Sequence, residues 1–365
     1  MRLAWASVES VTESRDGLQQ LAVAFPDGST GTAVCYPQLT GPCAPGDAVL
    51  LNTTAVQLGL GTGGFHLVAA RAPQGDDREP GGVAYQDASG GHVMKLRYTP
   101  LQRDVMSAEA QESPHHALLA AADDVAGMPV VCCGLHSQLP LVAAGVKESL
   151  PDACVAYLMT DQAALPLALS DLVPACLAAG LIDATVTCGQ AFGGGLEAVN
   201  LYSGLLAARA VAGADVAVVA IGPGVVGTGT VFGHGGVAQG EAVNAASTVG
   251  GRPVAALRLS FADARERHRG VSHQTLTALG RVALATAVVA VPSLPAAQAA
   301  AIDEARERAG VWARHERVDA VGDPLPDTRG VTARTMGRGP DEDPAFFAAA
   351  AAAGRVAGAL ASGRP

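Results

Sequence analysis

The stretch DVAVVAIG at residues 215–222 decides the fold class, because it is a short apolar run without the alternation of a half-exposed strand. Five similar runs lie in the same part of the chain, and segments with apolar residues at helical spacing separate them. Strands joined by one helix run parallel, and sheets of this kind are buried on both faces. The predicted strands lie near residues 129–134, 154–160, 183–188, 215–222, 253–260 and 285–291. We predict a doubly wound, mostly parallel α/β domain over residues 113–365.

Helix signals fill the intervals between these strands. Ser113 and Pro114 predict a helix start and Gly127 its end, while apolar residues at helical spacing predict helices over 139–150 and 196–206. Beyond residue 292 we expect a charged helix, a strand over 315–321 and an Ala-rich helix from Phe346.

The chain before this domain has a different pattern. Residues 1–72 read as short β-segments separated by turn sequences such as FPDG at 25–28, in which proline and glycine favour a tight turn. About five short strands in this length predict a small β-barrel domain. Residues 73–112 are expected to form a linker and a bridging strand, GHVMKLRY at 91–98.

Composition excludes several classes of function. The 365 residues are 49% hydrophobic but only 4% aromatic, so the core must consist of Ala, Val and Leu. The net charge of −10 argues against a nucleic-acid partner, because phosphate neutralisation needs clustered cations. The longest apolar stretches contain prolines, glycines or an arginine, which argues against a membrane partner.

Cysteine usage and the N-terminus indicate the cellular compartment. Seven cysteines are an odd number, and they lack CxxC spacing. The first ten residues, MRLAWASVES, do not have the pattern of an export signal. We therefore expect a cytoplasmic protein with reduced thiols.

Polar residues cluster in the loops that follow the predicted strands, whereas the loops that precede the strands are bland. In parallel sheets, ligands bind outside the carboxyl ends of the strands. The candidate ligand-binding residues in these loops and the helices after them are His136, Gln190, Gly222, Gly224, Gly227, His234, Glu241, Asp263 and Arg269. The candidate catalytic residues are Asp161, Cys188, His268 and His273.

The glycine-rich loop at 222–236 superficially matches a dinucleotide-binding motif through Gly222, Gly224 and Gly227. The further glycines disfavour a helix start inside the motif, which dinucleotide binding requires. Two interpretations remain: a backbone that cradles an anion, or a glycine hairpin that only covers the sheet edge.

The segment SFADARERHRGVSH at 260–273 combines arginines with two histidines. Arginine recognises carboxylates or phosphates and histidine exchanges protons near neutral pH, although a charge run can also be a solvated surface. Cys188 follows a strand as a thiolate nucleophile would, or as an ordinary buried cysteine. No histidine pair has a recognised metal-binding spacing, so no metal is predicted, and the sequence does not identify a cofactor.

Several motifs resemble a bacterial family of proteins with a domain of unknown function, prominent in Actinobacteria and Firmicutes. They are GHVMKLRYTPLQ at 91–102, CGLHSQL at 133–139, CGQAFGG at 188–194, GTGTVFGHGGVAQGEAVNAA at 227–246 and SFADARERHRGVSHQTLTAL at 260–279, which contains RERHRGVSH. The resemblance implies membership in this family and no activity.

The sequence leads to two functional hypotheses. The first is an enzyme for a small anionic metabolite, phosphorylated metabolites included, that uses the glycine-rich loop and Arg269 to bind it. In that enzyme His268 or His273 would be the acid/base, and Asp161 or Glu241 would orient a histidine. The second is a non-catalytic ligand sensor or assembly protein that uses the same pocket. Either partner would be a small molecule, and a homo-oligomer is compatible with both.

Overall fold

A computed structural model describes residues 2–59, 64–72 and 90–363. The chain divides into two compact units between Val105 and Met106. Residues 73–89 of the predicted linker and bridging strand at 73–112, and residues 60–63 of the predicted β-barrel domain, lie outside the described residues.

The first unit contains the predicted β-barrel, which is confirmed. Five strands close in the order β1, β2, β3, β5, β4, and only the β3–β5 pair is parallel. Alternating residues such as Val49 and Leu51 fill the interior. The elements are β1 Leu3–Arg15, β2 Leu18–Ala24, β3 Thr30–Cys35, α1 Pro37–Thr40, β4 Ala48–Asn52, α2 Thr54–Gln57 and β5 His66–Arg71.

A short hairpin completes the first unit. Its strands are β6 Val93–Lys95 and β7 Arg103–Val105, which pair antiparallel. The expected strand at 91–98 is therefore shorter than its sequence pattern suggested, and within the described residues it pairs with β7 rather than with a strand of the barrel.

The second unit is built on an eight-stranded parallel sheet, as predicted. Its order is β11, β10, β9, β12, β8, β13, β16, β17. These strands are β8 Pro129–Cys132, β9 Val155–Thr160, β10 Ala184–Cys188, β11 Leu196–Ala198, β12 Val216–Ile221, β13 Arg252–Ala255, β16 Val288–Pro292 and β17 Glu316–Ala320. A separate antiparallel pair, β14 Leu259–Ser260 and β15 Gly270–Val271, follows β13.

Helices cover both faces of the sheet. They are α3 His116–Ala120, α4 Leu139–Ser149, α5 Leu172–Ala178, α6 Leu201–Ala210, α7 Ala238–Thr248, α8 His273–Thr277, α9 Ala296–Arg308 and α10 Pro344–Ala361. One core contains side chains of α4, α5 and α10, and the other contains side chains of α6, α7 and α9. Successive strand residues divide between the cores, as Tyr157 and Leu158 do.

Three local predictions were wrong. Residues 196–198 form strand β11, because they pair with β10, and α6 begins only at Leu201 after the N-cap Asn200. The apolar run at 253–260 is not one strand, since β13 ends at Ala255 and the chain joins β14 at Leu259. The helix expected from Ser113 to Gly127 is reduced to the five residues of α3.

Helices α4 and α10 approach very closely through small residues. A Cβ atom at Gly145 would lie 2.6 Å from the carbonyl oxygen of Ala351, and one at Gly354 would collide with the carbonyl group of Val142. By length and composition α10 could cross a membrane, but 72% of it is buried in the fold, which is typical of a core helix. The structure is therefore compatible with a soluble protein.

We predict that Gly354→Ala lowers the free energy of unfolding by about 1–3 kcal/mol, because the added methyl group forces α10 away from α4. Helix propensity alone would favour alanine by about 1 kcal/mol, so the expected sign is the opposite of the intrinsic one. Denaturant unfolding measures the change.

Gly339→Ala is the matched control, since the nearest atom to its added Cβ lies 3.8 Å away. Equal stabilities of Gly354→Ala and the parent chain would show that the two helices are not in close contact.

Candidate functional site

The candidate site lies where the connections of the sheet diverge. From β8 the chain passes to β9 on one side of the sheet order, whereas from β13, the neighbour of β8, it passes to β16 on the other side. Loops that leave adjacent strands in opposite directions open a crevice at the carboxyl edge. The loops after β8 and β13 border this crevice.

Gln239 of α7 holds the two strand ends together. Its side-chain amide donates hydrogen bonds to the carbonyl oxygens of Cys132 (2.9 Å) and Ala256 (2.7 Å). The residue is only 2% exposed, and its Oε1 atom is buried without a hydrogen-bond partner. A Cβ atom at Gly134 would lie 3.4 Å from that oxygen, so glycine leaves room beside it.

Arg258 places a positive charge in this crevice. The side chain is 4% exposed, and its Nη1 donates a 2.6 Å hydrogen bond to Oε1 of Gln274. Its backbone is fixed by α8, since its N–H donates to Oγ1 of Thr275 and its carbonyl oxygen accepts from the N–H of Ser272. Among the described residues, no carboxylate forms a salt bridge with this guanidinium.

Three histidine rings lie in a row beside Arg258 and Gln274, one pair edge-to-face and the other tilted. The ring centroids of His234 and His273 are 5.2 Å apart, and those of His268 and His273 are 5.1 Å apart. The row joins the glycine-rich loop to the segment before α8. Gly227 and Gly236 pack against Gln274, where a side chain at either glycine would press on it.

Two ring nitrogens of this row are buried and have no hydrogen-bond partner among the described residues: Nδ1 of His234 and Nε2 of His273. Nε2 of His234 is 2.9 Å from the carbonyl oxygen of Val231, so Nε2 carries the proton and Nδ1 of the neutral ring is an acceptor. His268 is anchored differently, with Nδ1 2.8 Å from Oγ of Ser272. Buried polar atoms normally have partners, so the two nitrogens indicate contacts with a ligand or water.

The environment keeps all three histidines neutral. Burial, with the charges of Arg258 and Arg265 added, lowers the pKa of His268 to about 3. Burial also lowers the pKa of His234, and burial and the neighbouring His234 lower that of His273. Arg258 is affected too, because burial and the nearby arginines lower its pKa to about 10. The row therefore offers Arg258 no negative charge.

Asp263, a predicted site residue, acts electrostatically on Arg258, but it forms its salt bridge with Arg265. Both of its oxygens accept hydrogen bonds from Arg265, at 3.0 and 2.8 Å, and Arg338 lies 3.7 Å away. The hydrogen bonds of Arg265 hold the pKa of Asp263 well below its usual range. Asp263 thus remains ionised and engaged beside the row.

His136 lies apart from this row. Its Nδ1 is 2.8 Å from the hydroxyl of Tyr157 and its Nε2 is 2.6 Å from the hydroxyl of Ser170. Burial lowers the pKa of His136 to about 4. Ser170 is 2% exposed and Tyr157 is fully buried, so this serine–histidine pair is part of the core packing rather than an accessible nucleophile.

The candidates on β9 and β10 form two other local arrangements. The sulfur of Cys188 packs beside Gly204 of α6 in a hydrophobic core. Asp161 accepts a 2.9 Å hydrogen bond from the backbone N–H of Gln190, which ties the loops after β9 and β10 together. These contacts of Cys188 and Asp161 do not involve the histidine row.

The remaining candidates are dispersed. Gly222 packs against the backbone of Ala164, and Gly224 has a positive φ of 89° that favours glycine. Glu241 on α7 and Arg269 are exposed. Of the predicted site residues, the structure brings together Gly227, His234, His268 and His273, with Asp263 beside them. Arg258 was missed, although an arginine inside an apolar run is a visible signal.

No group of three histidine, cysteine or carboxylate side chains in the described ranges is arranged to hold a metal ion. The histidine row offers ring nitrogens for hydrogen bonding and proton exchange.

A sequence profile of DUF3866, a protein family of unknown function, matches residues 32–354. The chain belongs to the DUF3866 family. The match begins within β3 of the barrel, includes β4 and β5, and covers nearly all of the sheet domain with the histidine row. No match was found among curated proteins or among solved structures.

In this DUF3866 protein, we predict that the free energy of unfolding of the sheet domain falls as the pH drops from about 6.5 to about 4. His136 has a lower pKa folded than unfolded, so the unfolded chain takes up its proton first. His136→Gln should reduce this slope by up to about 1.4 kcal/mol per pH unit. Denaturant unfolding followed by Trp312 fluorescence, in a Trp5→Phe background, measures it.

Tyr157→Phe is the control, because it removes a hydrogen bond of His136 but keeps the titrating ring. It should lower stability at every pH and keep a slope of the same sign. An unchanged slope in His136→Gln would contradict the assignment of this proton linkage.

Proposed function

We propose that this chain is an enzyme that binds a small anionic metabolite, phosphorylated metabolites included, beside Arg258 and the histidine row. The observation that carries the proposal is the buried charge of Arg258, which has no carboxylate partner among the described residues. A buried charge without compensation costs several kcal/mol. A bound anion would supply the compensation.

The neighbouring groups support an anion in preference to a cation. The three histidines are neutral and Asp263 is engaged by Arg265, so the local positive charge exceeds the negative charge. Guanidinium groups bind carboxylate and phosphate oxygens through paired N–H donors. Arg258 donates one hydrogen bond to Gln274. This bond orients the remaining N–H donors of the guanidinium.

The histidines supply the chemistry in this proposal. The unpartnered Nδ1 of His234 accepts a hydrogen bond from a ligand hydroxyl. The unpartnered Nε2 of His273 exchanges a proton with the ligand, because an anion raises the pKa of an adjacent histidine towards neutrality. A bound anion thus activates the residue that acts on it.

A non-catalytic sensor is the alternative outcome, and turnover separates the two. An enzyme has a pH–rate profile set by its histidines, whereas a sensor is stabilised by the ligand without consuming it. None of the seven cysteines, all of which lie in the described residues, forms a disulfide, which fits a reducing, cytoplasmic setting.

We predict that inorganic phosphate raises the melting temperature of the parent chain, and that Arg258→Met abolishes this stabilisation. The substitution removes the buried charge but retains an apolar side chain of similar length. Without phosphate, Arg258→Met should be at least as stable as the parent, because the parent then contains an uncompensated buried charge and the variant does not. Thermal unfolding over a series of phosphate concentrations measures both effects.

Arg269→Met is the matched control, since it removes one positive charge from the exposed part of the same loop. It should keep the response to phosphate. Equal responses of the two variants would contradict the assignment of Arg258 as the anion ligand.

A further inference from the structure

A second cleft opens near the carboxyl ends of β16 and β17, with a volume of about 750 Å³. It is bordered by the N-terminal ends of α9 and α10 and by the segment after β17. This volume falls within the range of small-molecule pockets, about 300–1,000 Å³. The proposed anion site does not account for this cleft.

The charge of the cleft is opposite to that of the anion site. Four carboxylates line it, and none of the described residues that line it is a lysine, arginine or histidine. The carboxylates are those of Asp323, Asp341, Glu342 and Asp343. Asp323 and Asp341 are exposed and have no salt-bridge partner among the described residues. The cleft therefore attracts cations.

Asp343 differs from the other three carboxylates because it is buried. It is 1% exposed; its Oδ2 accepts hydrogen bonds from Ser260 and Arg338, whereas its Oδ1 is buried without a partner. The side chain does not cap α10, although Asp343 occupies the N-cap position. Helix capping therefore does not explain why a carboxylate is buried beside this cleft.

The apolar part of the lining narrows the class of cation. Phe261, Leu294, Leu325 and Ala348 border the cleft between the carboxylates. No described group of three carboxylates, histidines or cysteines is arranged to hold a metal ion. An organic cation satisfies both conditions, because its charged head pairs with carboxylates and its body contacts the apolar lining.

We propose that this cleft binds a small organic amine, with its protonated nitrogen at the carboxylates and an apolar body against Phe261 and Leu294. The site is separate from the anion site and does not depend on the function proposed for it. The cleft and the proposed anion site are connected electrostatically by Arg338. This residue contacts Asp343 at the cleft and lies 3.7 Å from Asp263 beside the histidine row.

The test uses 2-phenylethylamine as the probe and its neutral isostere 2-phenylethanol as the reference, with the full chain in a calorimetric titration. We expect the dissociation constant of the amine to be lower by about tenfold or more at low salt, and the difference to shrink as salt is added. Equal affinities for both compounds, or no binding of the amine at millimolar concentration, would overturn the proposal.

Variants locate the binding. Asp341→Asn combined with Asp323→Asn should raise the dissociation constant of the amine severalfold and leave that of the alcohol unchanged. Asp152→Asn is the control, because it removes an exposed carboxylate between α4 and β9, away from the cleft. An affinity for the amine that is the same in the double variant and in the Asp152→Asn control would also overturn the proposal.

Discussion

Close packing of helices on a sheet that is buried on both faces is the constraint on which this fold depends. The chain has few aromatic residues, so alanine and glycine must bring helix backbones near each other and near the strands. Helices α4 and α10 show this constraint directly, because their backbones approach so closely at Gly145 and Gly354 that a Cβ atom would not fit there. With the helices held so closely, the loops at the carboxyl edge of the sheet start from fixed positions.

The anion site uses this rigidity. Gln239 joins the ends of β8 and β13, and α8 fixes the backbone of Arg258 through Ser272 and Thr275. The guanidinium is thus held in a crevice where no carboxylate of the described residues forms a salt bridge with it. Neutral histidines complete the surroundings. The cost of burying this charge is the physical reason to expect an anion there.

The amine cleft and the anion site share one set of ion pairs. Arg338 contacts Asp343 and approaches Asp263, which is held by Arg265. The two proposed sites therefore adjoin the same buried carboxylates. This arrangement would suit two ligands, or two substrates, that arrive with opposite charges.

The sequence predicted the barrel, the parallel sheet and the edge on which polar residues gather, because these follow from the period and length of apolar runs. The sequence did not show whether a side chain at the end of a strand would point into the core or towards the loops at the sheet edge. His136 and Cys188 therefore belong to the core instead of the histidine row. The role of Arg258 was not predicted, because the apolar run that contains it continues past the end of β13 and was read as one strand. The amine cleft lies partly in residues 322–343, where periodic signals are few.

The most direct test of the central claim is a crystal structure of the full chain grown at neutral pH with phosphate. The account predicts a phosphate ion within hydrogen-bond distance of the Arg258 guanidinium and of a ring nitrogen of His234 or His273. A structure in which Arg258 instead forms a salt bridge with Asp263, and no phosphate lies beside the histidines, would contradict it.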